Sequence, residues 1–267
     1  YQINLTQPFV APWRPEWAGR PLSERVAAVY ARLRARTPAS MGALIAVDPG
    51  RPCGQWVISN SPETLLTIEL GQGEDGGDLA RSWPIKGTRP RGADPAADRA
   101  AAEELQRSTK DLAEHVMIVD LVRNDLGRLA RPGSVRAPAR PTLVSLPTVH
   151  HLVSEVRCTL RPGWTLAEVF AAMFPGGSVT GAPKRRTVEH IATLEQRERG
   201  IYCGAIVALL PEGLVASIPI RTGIADASGL WLQAGGAIVI DSDPEGERRE
   251  CWDKVRAFDR ASGGGGG

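Results

Sequence analysis

Apolar residues recur at helical spacing from about Leu22 to Arg36, after Pro21 and with Ser23 available as an N-cap. The pattern then shortens to the apolar runs Gly42 to Val47 and Gln55 to Ser59. A helix feeding a sheet is predicted there, and Tyr1-Gln2-Ile3-Asn4-Leu5 ahead of it is already strand-like. Residues 71–78 read as a polar glycine-rich loop, and Ala96 to Leu121, rich in Ala, Glu and Leu, predicts one long helix. Beyond it, Asn124 and Asp125 are suited to cap and turn the backbone, with Gly127 as a helix C-cap or a point of close approach. Pro132 to Pro147 is proline-punctuated and extended. Further helices are predicted over Thr165 to Phe174, ending at Pro175-Gly176-Gly177, over about Pro183 to Glu198, and over Pro244 to Arg260. The strands Ala205 to Leu210, Leu214 to Arg221, Leu230 to Gln233 and Ala237 to Ile240 cluster late in the chain. That clustering favours antiparallel meanders over strict strand-helix-strand alternation.

Composition narrows the class. With 267 residues, 42% hydrophobic and 23% charged, the chain has material for one large domain or two small ones around a sizeable core. Its formal charge of +2 is spread without a dense basic block, so nucleic acid is not an expected partner and an anionic ligand must be met locally. Cys53, Cys158, Cys203 and Cys251 lack CxxC spacing, which suggests neither a zinc knuckle nor a disulfide scaffold and makes a reducing cytoplasm the default. No apolar run approaches the roughly 18 residues of a membrane span, and no signal peptide precedes the first strand. The chain opens without methionine and closes on glycines, so both ends read as boundaries of a fragment: a domain over 1–261 and a flexible tail over 262–267.

Three sets of residues carry candidate chemistry. Gly176-Gly177-Ser178-Val179-Thr180-Gly181-Ala182-Pro183-Lys184 joins two predicted helices through small residues and hydroxyls, with proline at the expected N1 position. It reads equally as an anion-holding loop or as a plain helix connection, and it lacks the spacing of a Walker loop. Asp111 and Glu114 lie three apart on one helix, and Glu247 and Glu250 repeat the spacing on another. Such pairs are either solvated surface or oxygen ligands suited to Mg²⁺. Candidates for acid, base or nucleophile are Lys86 between Pro84 and Gly87, Glu63, and His151, with Tyr202 and Arg221 for carboxylate recognition. A lysine in a tight apolar turn can lose its proton and attack carbon, whereas an isolated one is a solvated charge.

Taken in order, PIKGTRPRG, EHVMIVDLVRNDLGR, HHLVSEV, GGSVTGAPK, GIYCGAI, IPIRTG and DSDPEGERRE resemble the chorismate-utilising enzymes, which include the anthranilate, aminodeoxychorismate, isochorismate and salicylate synthases. The likeness spans residues 1–261. It implies a mixed α/β (α+β) fold like that of anthranilate synthase component I, with two packed, largely antiparallel sheets flanked by helices and chorismate with Mg²⁺ between them. It further implies Glu114 and Glu250 as direct metal ligands, with Asp111 and Glu247 acting through water. Tyr202 and Arg221 would bind one substrate carboxylate, helped by the loops at Ser178, Thr180, Gly181, Gly235 and Gly236. His151 would assist departure of the 4-hydroxyl, and Glu63 would move protons around it.

Two positions sort the family by nucleophile. Members that add water carry lysine where this chain has Gln2, which leaves the ammonia users. Among those, the sequence PIKGT with Lys86 resembles the aminodeoxychorismate synthases, in which that lysine attacks C2 of chorismate before ammonia enters at C4. The resemblance therefore implies conversion of chorismate to 4-amino-4-deoxychorismate, precursor of para-aminobenzoate and folate. The alternatives are anthranilate or 2-amino-2-deoxyisochorismate formation, or an inactive chorismate-binding fragment. Gly235-Gly236-Ala237 departs from the family's third glycine, and the family's long N-terminal region is missing. No glutaminase residues are recognisable, so a glutamine amidotransferase subunit or fused domain is the expected source of ammonia.

Overall fold

The computed structural model describes residues 1–47 and 54–263, so Cys53 and the last four glycines lie outside the described residues. In chain order the elements are β1 (Gln2–Pro12), α1 (Leu22–Arg36), β2 (Met41–Val47), β3 (Gln55–Ser61), β4 (Thr64–Glu69), β5 (Leu79–Ser82), β6 (Ile85–Pro90), α2 (Pro95–Arg107), α3 (Thr109–Gly127), β7 (Thr142–Ser145), β8 (Val149–Val153), β9 (Val156–Thr159), α4 (Leu166–Met173), β10 (Gly181–Ala182), α5 (Lys184–Glu195), β11 (Ile206–Leu210), β12 (Gly213–Ser217), β13 (Thr222–Ala225), β14 (Gly229–Ile238) and α6 (Pro244–Ala261). They divide into two units. The first comprises Tyr1–Glu63, Val179–Ile206 and Ser217–Gly267, and the second Thr64–Ser178 with Val207–Ala216. Among the described residues no helix is long and apolar enough to cross a membrane.

The first unit is built on a six-stranded sheet of order β10-β1-β14-β13-β3-β2. Val26, Val29 and Leu33 recur at helical spacing on α1, and Cys251, Val255 and Phe258 do so on α6. These stripes meet Leu230, Leu232 and Ala234, which alternate along β14, in one core with Trp17 and Ile58. Each large side chain buried there contributes about 1.5–3 kcal/mol. Beyond its short pairing with β10, the edge of β1 finds two further partners: Asn4 N donates to Thr180 O at 3.0 Å and Thr6 N to Glu195 Oε1 at 2.8 Å. At the same alternate positions further along stand Pro8 and Pro12, which have no N–H to offer another strand.

The second unit holds a five-stranded sheet, β11-β12-β4-β5-β9, and a three-stranded one, β6-β8-β7. The β4–β5, β5–β9, β6–β8 and β7–β8 pairings are antiparallel. α3 packs on β6 and β9, and α2 on β6 and β8, burying Leu105, Ile118, Val122, Leu126 and Leu152. Mixed α/β architecture with antiparallel sheets is therefore as expected, with a third small sheet that the sequence patterns did not suggest.

Several local expectations are corrected. The long helix over Ala96 to Leu121 is two helices, because Ser108 leaves the helical conformation (φ −64°, ψ 106°) and its hydroxyl accepts from Asp111 N. Asp111 thereby enters the first turn of α3. Ser23 does not cap α1; the cap is Pro21, without a side-chain bond. Pro183 is the N-cap of α5, not its first helical residue. Asn124 and Asp125 lie inside α3, and Gly127 is its last residue with open space around it, so it serves no close approach. The expected strand to Arg221 stops at Ser217, and β13 follows separately. The two last predicted strands are one, because Gly235-Gly236 continue β14 rather than interrupt it.

Candidate active site

In the first unit the candidate groups gather around main chain. Gly181 has φ +116°, and a Cβ there would stand 2.1 Å from Gln2 O; one on Gly235 would stand 2.0 Å from Leu5 O. Glycine is required at both because backbone approaches backbone. Thr180 is buried beside them, and Gln2 and Asn4 lie on one face of β1 with buried amide atoms that have no hydrogen-bond partner. Such groups cost about 1–3 kcal/mol each when left unsatisfied. Ala237 pairs with Asn4, so its methyl stands beside that amide in the register of the sheet.

Tyr202 is buried, and burial raises its phenol well above the ordinary value of 10, so it is a hydroxyl donor at neutral pH. Burial likewise pushes the neighbouring Cys203 thiol up to about 12. Arg221, at φ +50°, stands in the left-handed region. Its side chain reaches solvent, yet surrounding protein desolvates it and lowers its pKa from 12.5, opposed by Tyr202 and Glu250. It stays cationic, since a guanidinium keeps its proton at any physiological pH. Glu63 follows β3; its N–H donates to Ser61 Oγ at 3.1 Å, and its carbonyl accepts from Ile218 N at 3.1 Å.

Glu247 and Glu250 converge over Gly236, where an added Cβ would meet Glu247 Oε2 at 2.7 Å and Glu250 Oε1 at 3.8 Å. The missing side chain leaves a cradle between two carboxylates. Glu247 Oε1 accepts from Ser242 Oγ at 2.8 Å. Lys254 pairs with Glu250 at 2.5 Å and donates to Gly235 O at 2.6 Å, tying the acidic helix to the glycine pair. Sequence reasoning overlooked Lys254, although its spacing four residues after Glu250 was visible.

In the second unit the groups gather around a bulge. β6 shifts register against β8 between Lys86 and Thr88, with Gly87 at φ +77° between them. Lys86 therefore lies in a bulged strand rather than a turn. A Cβ on Gly87 would meet Leu105 Cδ1 at 2.9 Å and Asp111 Cβ at 3.2 Å, which shows how closely α2 and α3 press on the bulge. Thr88 Oγ1 bonds His151 Nδ1 at 2.9 Å, fixing that ring from the adjacent strand. His115, not foreseen, is fully buried on α3: Nε2 bonds Ser154 Oγ at 2.8 Å and Nδ1 has no partner. Burial, then the charge of nearby Lys86, lowers its pKa below 6.5.

Asp111 accepts from Arg89 Nη2 at 2.8 Å, and Glu114 stands half-buried one turn further along α3. Ser178 lies in the turn Gly177–Val179 that ends this unit's segment. The second unit thus assembles Lys86, His151 and Asp111 about β6. The first assembles Gln2, Thr180 and Gly181 about β1, and Gly235, Gly236, Glu247 and Glu250 about β14. Among the described residues no three His, Cys, Asp or Glu side chains are clustered tightly enough to hold a metal by themselves. The donor chemistry of the α6 pair, two carboxylates over a side-chain-free cradle at Gly236, nevertheless suits a hard oxygen-seeking ion such as Mg²⁺.

A family model for chorismate binding enzymes matches residues 1–260, and the chain belongs to that family. It is 43% identical over 257 residues to aminodeoxychorismate synthase component 1 of Klebsiella aerogenes, covering 96% of this chain and 52% of that protein. It is also 41% identical over 240 residues to anthranilate synthase component 1 of Streptomyces coelicolor, covering 90% and 45%. The crystal structure of anthranilate synthase component I from Streptococcus pneumoniae superposes with a TM-score of 0.78 at 32% identity, covering 97% of this chain and 53% of that one. The chain thus spans about half the length of these relatives.

Proposed function

We propose that this chain carries the catalytic site of an aminodeoxychorismate synthase, replacing the 4-hydroxyl of chorismate with an amino group. The observation that carries the reading is Lys86, held at a bulge beside the buried, neutral His115. The name of the Klebsiella relative supports it. In the proposed reaction, the neutral Lys86 amine forms a bond to C2 as both ring double bonds shift, C1=C2 to C1=C6 and C5=C6 to C4=C5, and the C4–O bond breaks. His151, oriented by Thr88, and Glu63 supply and take up the protons that let hydroxide leave as water. Ammonia then bonds to C4, both double bonds return to their first positions and the C2–N bond breaks, with the proton lost by the new amine balancing the one taken up by the departing lysine, so one difficult displacement becomes two.

Tyr202 donates its hydroxyl and Arg221 its charge to a substrate carboxylate, with Ser178, Thr180, Gly181, Gly235 and Gly236 shaping the main chain around it. Glu114 and Glu250 are the proposed direct ligands of Mg²⁺, with Asp111 and Glu247 acting through water. When bound, the ion neutralises carboxylate charge on the ring. Ammonia would come from a glutamine amidotransferase, as a subunit or a fused domain, and the cytoplasm is the proposed location. Product para-aminobenzoate destined for folate fits this reading.

A second reading, anthranilate formation, is favoured by the Streptomyces coelicolor relative. Product identity separates the two. With chorismate, Mg²⁺ and ammonium the chain should form aminodeoxychorismate, and with glutamine as sole nitrogen source it should form none. Anthranilate as the product would replace the first reading with the second.

A further inference from the structure

Past the end of α5 the chain turns through Gln196, at φ +50°, and returns Arg199 onto the helix terminus. Arg199 Nε donates to Glu195 Oε2 at 3.0 Å and Nη2 to Oε1 at 2.7 Å, a two-pronged pair whose side chains keep only 13% and 3% of their exposure. The same guanidinium reaches two main-chain carbonyls from distant parts of the sequence: Nη1 donates to Val179 O and Nη2 to Asn4 O, both at 2.8 Å. Glu195 completes its shell with Thr6 N at 2.8 Å and Thr6 Oγ1 at 3.0 Å. The carbonyl of Arg199 accepts from Gln233 Nε2 on β14 at 3.0 Å.

Stability is a poor explanation for this arrangement. Desolvating two charges offsets most of their attraction, and well-packed apolar replacements of such pairs are often neutral or better. What a planar guanidinium adds is direction, because its donors have fixed relative angles. Here that direction locks the carbonyls of residues 4 and 179 to the end of α5. Between those anchors lies Thr180-Gly181-Ala182, which pairs with Gln2 and Ile3, while Thr180 O accepts from Asn4 N. Three residues past Arg199 comes Tyr202.

We propose that Arg199, oriented by Glu195, is a positioning residue that sets the main chain of Val179–Ala182 and the Tyr202 loop for the carboxylate of the ligand. The identity of that ligand rests on the chorismate reading above; the clamp itself does not. Two variants of the full chain test it, Arg199→Lys and the double variant Glu195→Met/Arg199→Met. Lysine keeps the charge but, with three donors on one atom, cannot reproduce the four directed bonds of the guanidinium, and the double variant removes the pair without stranding a buried charge.

The readouts are chorismate affinity by calorimetry with Mg²⁺ and amide hydrogen exchange at Gly181, Ala182 and Tyr202, with α1 as reference. Both variants should bind chorismate on the order of ten- to a hundredfold more weakly, and should exchange faster at those three amides while α1 is unchanged. Wild-type exchange there would overturn the clamp whatever the ligand does, as would faster exchange with unchanged affinity. Exchange that rises equally in α1 would reduce the pair to a general structural support and overturn it too. Faster local exchange in the variants, beside a wild type that binds no chorismate, would uphold the clamp and count against the chorismate reading instead.

Discussion

The two units hold their candidate groups by different physical means. In the first, main chain does the work: Gly181 and Gly235 allow backbone to meet backbone, Gly236 leaves room between Glu247 and Glu250, and the Glu195–Arg199 pair points at carbonyls. In the second, side chains surround a single bulged strand, with His115, Thr88 and Asp111 grouped about Lys86 and Gly87. A ligand held by main chain demands glycine at fixed points and tolerates little change. A reacting side chain at a bulge demands the bulge and a dry neighbourhood, and its neighbours can yield.

Glycine substitutions should expose this difference. Gly181→Ala puts a methyl against the immovable Gln2 carbonyl at φ +116°. The conformation alone should cost about 1–3 kcal/mol, with the clash in addition, read as a large fall in the thermal midpoint. Gly87→Ala at φ +77° meets side-chain atoms rather than backbone, Leu105 Cδ1 at 2.9 Å and Asp111 Cβ at 3.2 Å, so a smaller loss of about 1–2 kcal/mol is expected. If the two variants melt alike, the contrast between the units is wrong.

A smaller effect concerns acid. Burial alone would raise the Glu195 carboxyl, but Arg199 and Thr6 outweigh it and hold its pKa below the ordinary 4.5. A depressed carboxylate stabilises the fold above its unfolded pKa and loses that contribution as pH falls through the folded value. Stability should therefore decline below pH 4.5, and Glu195→Gln should flatten that decline. A variant with the wild-type acid slope would show that the pair contributes nothing to it.

Much of the helical framework was readable from the chain. α1 matches its predicted limits because Val26, Val29 and Leu33 mark one buried stripe, and the capping box at Thr165 and Glu168 marks the start of α4. The break at Ser108 was hidden because the apolar period runs on through it and only a hydroxyl cap decides otherwise. Short strands such as β5 and β9, four residues each, carry too few positions to show alternation. Among candidate site residues, Lys86, Tyr202 and the acidic pairs were singled out by ordered motifs. Arg199, Lys254 and His115 went unnoticed because a charge at i+4 on a polar helix, or a lone histidine, ordinarily means solvent or core. Only the geometry shows what each one touches.

The central claim is that Lys86 is the nucleophile, and its most direct test is aminodeoxychorismate formation from chorismate, Mg²⁺ and ammonium by the wild type and by Lys86→Ala. The account predicts that the variant melts with the wild type but forms product roughly 10²–10⁴-fold more slowly, the scale expected when a positioned reacting group is removed. Aminodeoxychorismate released by Lys86→Ala at the wild-type rate would contradict it.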